Sequence, residues 1–303
     1  MKTKNLEKLG KGGAKGEAPR KSRKARKQYA DELCEFYNEC DTNNYIETQT
    51  NYSNYEHLSS NEKEQFETMF SKPKNESQKK YLNILKNKEK KIVVVTGPAG
   101  TGKTLFATEQ GVKQFLKGGC EKLIFTRPSV SVDEDLGYLP GTIEEKMAPW
   151  VRPIYDILHN FMSSKEISSL IEEKEIEISP LGHMRGRTFK NCWIIADEMQ
   201  NSTINQMKML LTRIGENSRI ILTGDLEQFD NGHQANGLDD FLNKFKGKRS
   251  SSITSIEFES SDIQREEVVK EVLDIYDAEV IPPSYNLEYD SNSDSGLKTS
   301  EED

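Results

Sequence analysis

The chain has 303 residues, of which 30% are charged and 34% hydrophobic. That is enough for one large core or two modest ones, with much of the length left polar or solvated. No apolar run approaches the roughly 18 residues of a membrane span, and the basic N-terminus has no apolar segment behind it, so neither a membrane protein nor a secretory leader is expected. The net charge of −8 hides an asymmetry: residues 1–30 hold eleven Lys/Arg and two Glu, a balance of +9 against −17 for the remainder.

Residues 1–30 include Gly10, Gly12, Gly13, Gly16 and the run from Pro19 to Lys27. An arm with so few apolar groups cannot offset its ordering entropy and is expected to be disordered. Its charge fits a solubilising tail, a nucleic-acid-binding arm or a nuclear-import signal. Residues 31–60 are rich in Asn, Thr, Ser and Tyr and read mostly as loop, with a short helix from Ala30 to Tyr37. The folded part is expected to start near Pro73, which makes 1–72 a largely disordered extension. Gln78 follows, shortly before Tyr81 and Leu82. An amide can pair with the N6 and N7 edge of adenine, but a glutamine there means nothing by itself.

The first strong element is the apolar run Ile92–Val95, followed by Gly97, Pro98, Ala99, Gly100, Thr101, Gly102, Lys103 and Thr104, and then a helix-compatible stretch from Leu105 to Leu116. This is the pattern G-x-x-x-x-G-K-[ST] in a strand–loop–helix setting. Phosphates carry dense negative charge, so backbone N–H groups must turn inward around them. Glycines permit the turn and the close approach, and the following helix N-terminus adds a favourable dipole and unpaired donors. Lys103 can reach the β- and γ-phosphates, and Thr104 can ligate Mg²⁺.

Further apolar runs follow at Lys122–Phe125, Trp193–Ala196, Arg219–Leu222 and Ile253–Phe258. Three of them are nearly continuous rather than alternating, as in parallel strands covered on both faces. Intervening helices, such as Gln206 to Ile214 and Glu266 to Tyr276, supply right-handed crossovers. The expected class is α/β with a mostly parallel sheet, spanning 73–281, and an acidic, disordered tail over 282–303. Ligands in such sheets bind beyond the carboxyl ends of the strands.

Two of those ends carry acids. Trp193–Ala196 runs into Asp197 and Glu198. Adjacent carboxylates leaving a buried strand are costly unless a cation or a reaction needs them. Asp197 can hold Mg²⁺ through its water shell, and Glu198 can orient and deprotonate an attacking water. Thr223-Gly-Asp225 with Gln228 closes another strand, where Asp225 or Gln228 could sense a γ-phosphate or the lytic water, or simply form a strand-to-turn Gly-Asp. Arg127, Arg152, Arg185, Arg187, Arg213 and Arg265 lie in or beside motif-like loops and suit phosphate or surface acids. Among the cysteines, Cys34, Cys40, Cys120 and Cys192 show no metal-ligand spacing. Cys120 and Cys192 read as buried free thiols of a reducing compartment, so a cytoplasmic location is expected.

Several longer strings occur in order: Gly97–Thr104, Thr126-Arg-Pro128, Leu136-Gly-Tyr-Leu-Pro-Gly141, Arg152-Pro-Ile-Tyr-Asp156, Pro180-Leu-Gly-His-Met-Arg-Gly-Arg-Thr188, Asp197-Glu-Met-Gln-Asn201, Gln206-Met-Lys-Met209, Leu211-Thr-Arg-Ile-Gly215 and Thr223-Gly-Asp225 with Gln228. With these, the stretch from about Asn75 to Asp277 resembles the PhoH-like family of ATPases, relatives of the superfamily 1 helicase core. The resemblance implies a single RecA-like P-loop NTPase domain, ATP and Mg²⁺ as ligands, hydrolysis to ADP and phosphate, and RNA or single-stranded nucleic acid as partner. By the helicase analogy Gln78 looks like an adenine-reading glutamine, and Thr126 and Arg127 like a nucleic-acid backbone contact. The chain departs from the family pattern at Phe229-Asp-Asn-Gly232 and at Asp262-Ile-Gln-Arg-Glu266, where Arg265 survives but a histidine does not.

One such domain has no second RecA unit to supply an arginine to the γ-phosphate. Arg265 or Arg213 from another copy would fill that place, which predicts a homo-oligomer and possible ring assembly. Two other readings compete: an ATP-dependent RNA-binding switch with negligible turnover, and a small-molecule P-loop kinase.

Overall fold

A computed structural model of the chain describes residues 55, 58–128, 152–229, 235–265 and 268–269. The basic arm, the helix expected from Ala30 to Tyr37, Cys34 and Cys40, the string Leu136–Gly141, the departure at 230–232, nearly all of the helix expected from Glu266 to Tyr276 and the acidic tail lie outside the described residues.

The chain forms two compact units, Met1–Gln264 and Arg265–Asp303, and the sheet belongs wholly to the first. In order, the first unit contains α1 (Ser60–Thr68), α2 (Glu76–Lys86), β1 (Ile92–Thr96), α3 (Lys103–Leu116), β2 (Lys122–Arg127), α4 (152–159), α5 (Ser164–Glu172), β3 (Ile176–Pro180), β4 (Cys192–Ala196), α6 (Ile204–Leu211), β5 (Arg219–Gly224), α7 (Gly237–Phe245) and β6 (Ile253–Glu257). Short 3₁₀ turns cover Leu181–Met184, Met199–Asn201 and Ser260–Asp262.

All six strands are parallel, in the order β3-β2-β4-β5-β1-β6. β1, β4 and β5 are buried along their whole length because helices cover both faces. Alternate residues then feed two cores. Val93, Val95, Leu123, Phe125, Trp193, Ile195 and Ile221 pack with Phe66, Tyr81, Leu85 and Phe106 of α1, α2 and α3. Val94, Ile124, Ile194, Ile220 and Leu222 pack on the other face with Met207, Leu210 and Leu238 of α6 and α7. The fold is α/β, as the sequence predicts, with a sheet that is parallel throughout.

Three elements differ from the expectations. The ordered structure does not wait for Pro73. Ser59 caps α1 reciprocally with Glu62, and Phe66 is fully buried. Phe66 meets Phe70 edge-on at 5.1 Å, and Phe70 stacks on Phe161 at 4.8 Å. Ser71 holds Glu109 of α3 through its N–H and hydroxyl at 2.9 and 2.7 Å. The extension expected over 1–72 therefore includes a helix that is part of the core. Second, β3 is a strand where no apolar run announces one. It is an edge strand whose Glu177 points to the Arg187 guanidinium, so its pattern reads as polar. Third, α6 begins two residues earlier than predicted, where Thr203 and Gln206 form a capping box. No helix among the described residues is long and apolar enough to cross a membrane.

Candidate active site

The loop after β1 has the backbone that its glycines require. Gly97 has φ +126°, and a Cβ there would come within 2.3 Å of the Phe258 carbonyl oxygen. Gly102, at φ +89°, is the N-cap of α3 and offers no side chain, so the first-turn N–H groups of the helix stay available to a ligand. One contact within the loop and three from outside brace it. The Thr101 hydroxyl donates to Pro98 O at 3.0 Å and Gln264 N–H to Gly100 O at 3.0 Å. The Gln78 amide donates to Thr101 O and the Tyr81 hydroxyl to Lys103 O, each at 3.1 Å. The Lys103 ammonium folds back onto Gly97 O and Pro98 O at 2.6 and 2.7 Å. Burial lowers its pKa from the usual lysine value, while the negative charges of Asp225, Glu198 and Asp197 act in the opposite sense.

Asp197 leaves β4 beside this loop, with its N–H on Thr126 O at 2.9 Å. Its Oδ1 accepts from the Thr104 hydroxyl at 2.9 Å and also from the Thr223 hydroxyl at the end of β5. Its second oxygen keeps no hydrogen bond among the described residues, and a threonine hydroxyl lies next to it. That pairing of oxygen donors suits a hard divalent cation. Glu198 stands in the left-handed region at φ 52°, ψ 41°, an uncommon conformation for a residue with a side chain. Its Oε2 accepts from the Gln200 amide at 2.6 Å.

These groups line one open cavity of ≈ 270 Å³ at the carboxyl ends of β1, β4 and β5. Its walls are Ala99, Gly100, Gly102, Lys103, Thr104 and Leu105 on one side, Asp197 and Glu198 on another, and Gly224, Asp225 and Gln228 on the third. A site of this kind, where phosphate-loop donors face two acids, is that of a P-loop NTPase.

The family model described as PhoH-like protein matches residues 71–277. The chain belongs to the PhoH-like family. It is 38% identical to a PhoH-like protein of Bacillus subtilis (strain 168) over 231 residues, 72% of this chain and 71% of the relative. It is 37% identical to a PhoH-like protein of Synechocystis sp. over 66% of this chain and 60% of the relative, and 37% identical to Protein PhoH of Escherichia coli (strain K12) over 67% and 57%. This PhoH-like chain thus spans less than two thirds of several of its relatives. Among solved structures it overlaps the Pyrococcus furiosus Hef helicase domain at TM-score 0.32 and 12% identity (60% of this chain, 38% of that one), and Bacteroides Pif1 bound to ssDNA at 0.29 and 18% (66% and 45%). Overlaps this loose carry no functional argument.

The PhoH-like site brings together Ala99, Gly100, Gly102, Lys103, Thr104, Asp197, Glu198, Asp225 and Gln228, all singled out in the sequence, while Gly97, Pro98 and Thr101 shape the loop without lining the cavity. Gln78 is placed differently from its expected role. It is 3% exposed, its carbonyl accepts from Lys74 N–H at 2.7 Å and its amide holds Thr101, so it props the loop from behind and does not line the cavity. Thr126 is likewise buried, and its hydroxyl finds no partner among the described residues, so its side chain does not face a nucleic-acid backbone. Arg213 caps its own helix, donating from Nε to Met209 O at 3.2 Å and from Nη2 to the Thr212 hydroxyl at 3.2 Å. Arg265 is exposed and opens the second compact unit. Three residues with roles at this site were assigned none from the sequence: Tyr81, Thr223 and Gln200. Tyr81 and Thr223 meet a backbone atom or an acid far away in sequence, and Gln200 joins the nearby Glu198 to the distant turn at 225–228. Gln200 follows the paired acids by two positions, the one local hint it offered. Cys120 and Cys192 are buried free thiols, and burial pushes the Cys120 thiol up to about 12.

Proposed function

We propose that this chain binds ATP with Mg²⁺ and hydrolyses it to ADP and phosphate, in a cycle coupled to binding or remodelling RNA or single-stranded nucleic acid. The observation that carries the proposal is the meeting of Lys103, Thr104, Asp197 and Glu198 around one cavity. The Thr104 hydroxyl and the uncommitted oxygen of Asp197 would hold Mg²⁺. When bound, the cation supplies charge neutralisation on the phosphate oxygens.

The chain's own residues do the rest. The N–H groups of the loop and of the first turn of α3 receive the phosphates. Lys103 leaves the Gly97 and Pro98 carbonyls for phosphate oxygens. Glu198 aligns a water and accepts its proton as the water attacks. Asp225 and Gln228, which line the same cavity, contact the terminal phosphate or that water. Because Arg213 is engaged on its own helix, Arg265 of a second copy is the better candidate for the arginine that meets the developing charge. That arrangement calls for a homo-oligomer, with a ring as one form of it. The basic arm would bind nucleic-acid phosphates in a salt-sensitive, largely sequence-independent way. The absence of metal-spaced cysteines and the buried free thiols favour the cytoplasm.

The test is ATP turnover with and without single-stranded RNA or DNA, run beside a mass measurement of the assembly. Stimulation by nucleic acid, in an oligomer whose turnover falls on Arg265→Ala while ATP binding persists, supports the whole reading. Equal turnover in strictly monomeric protein removes the shared arginine.

A further inference from the structure

We infer that Gln200 is a positioning residue that ties the water-activating Glu198 to the turn at 225–228, so that the two walls of the cavity move as a unit. This inference rests on the proposed ATPase reading. The Gln200 carboxamide is 1% exposed and lies between three partners. Its Nε2 donates to Glu198 Oε2 at 2.6 Å and to Gln228 O at 3.3 Å, while its Oε1 accepts from Asp225 N–H at 3.1 Å. Both amide hydrogens and the carbonyl are therefore engaged, which fixes the plane of the amide in one orientation.

A second observation points the same way. Gly224 closes β5 inside the sheet, and a Cβ there would stand 2.8 Å from Gln200 Oε1 and 2.6 Å from Leu238 Cδ2. The strand end lacks a side chain where Gln200 approaches it. Glu198 sits on left-handed backbone, and the short contact to Gln200 is the side-chain hydrogen bond that directs its carboxylate. Asp225 and Gln228 line the cavity where the terminal phosphate would lie. A shift of that turn on phosphate binding reaches Glu198 through a single amide. Gln200 touches no substrate atom in this scheme and acts through Glu198.

The experiment compares wild type, Gln200→Ala and Gln200→Glu, with Glu198→Gln and the double variant Glu198→Gln/Gln200→Ala. Thermal melting establishes that each is folded. Gln200→Ala is expected to lower kcat by about tenfold to 100-fold, the scale of a displaced reacting group, with the KM for ATP changed less than about twofold. Gln200→Glu can still accept from Asp225 N–H but sets a carboxylate against Glu198, so it should fail to restore kcat. In the Glu198→Gln background, Gln200→Ala should have no further effect on the residual rate, because both changes remove one function. Amide hydrogen exchange at Asp225 is read in the same proteins and should speed up in Gln200→Ala. A kcat unchanged in Gln200→Ala, a loss confined to KM, or effects that multiply in the double variant would overturn the inference. If wild type shows no turnover, the ATPase reading fails on its own. The exchange rate of Asp225 then decides the brace, and an unchanged rate in Gln200→Ala refutes it.

Discussion

The Thr104 hydroxyl lies 2.9 Å from Asp197 Oδ1 although the two residues are 93 positions apart in the chain. The contact joins the first turn of α3 to the end of β4, and Thr223 adds a hydroxyl from β5 to the same oxygen. Three separate elements thus fix one carboxylate. Thr223→Val keeps the shape but removes that hydroxyl, and a hydrogen bond to a charged group is worth about 1.5–3 kcal/mol. The Mg²⁺ concentration for half-maximal turnover should then rise about tenfold, with the fold intact. Turnover titrated against Mg²⁺ in both proteins checks this, and superimposable curves would refute the role of Thr223.

Gly97→Ala should damage the loop through geometry alone. Its φ of +126° disfavours any Cβ, and the new methyl would press on the Phe258 carbonyl at 2.3 Å. The cost is expected to be about 1–3 kcal/mol or more, together with weakened nucleotide binding. Urea unfolding and a nucleotide titration read the two effects separately.

The N-terminal boundary can be tested at Phe66, which is fully buried between Tyr55, Phe70 and the sheet. Phe66→Ala should destabilise the domain by about 3–5 kcal/mol. A chain beginning at residue 73 should melt well below the full one. Equal midpoints would mean that α1 adds nothing to the folded core.

Glu177 on β3 gives a pH signature. Burial pushes its carboxyl up, but the Arg187 guanidinium, with hydrogen bonds from Arg187 and Ser179, outweighs that and leaves it below the ordinary 4.5. An acid lowered in the folded state contributes stability that is complete above the unfolded value and is lost as pH falls through the folded one. Glu177→Gln should therefore cost on the order of 1 kcal/mol at pH 7, and the gap to wild type should close as the pH falls from the ordinary 4.5 through the lower folded value. Chemical unfolding at a series of pH values follows the gap, and a constant difference would contradict the linkage.

The central strands and the phosphate loop were legible because each is a local pattern. β1, β4 and β5 are continuous apolar runs, and the glycines of 97–104 stand at fixed spacing. What escaped depended on partners distant in sequence. β3 is half-buried at the sheet edge, so Glu177 and its neighbours mask the strand. α1 is polar along most of its length and betrays its place only through Phe66. Gln78 carries the right side chain for an adenine edge, yet the backbone at Lys74 and Thr101 claims both ends of its amide. Gln200 and Thr223 acquire meaning only when β4 and β5 lie side by side.

The most direct test of the account is steady-state phosphate release from ATP and Mg²⁺ by purified protein, with Lys103→Ala and Glu198→Gln as controls and nucleotide binding measured in parallel. The account predicts turnover in wild type, loss of binding and turnover in Lys103→Ala, and a fall of at least about 100-fold in Glu198→Gln with binding retained. No release by wild type, or an undiminished rate in Glu198→Gln, would contradict it.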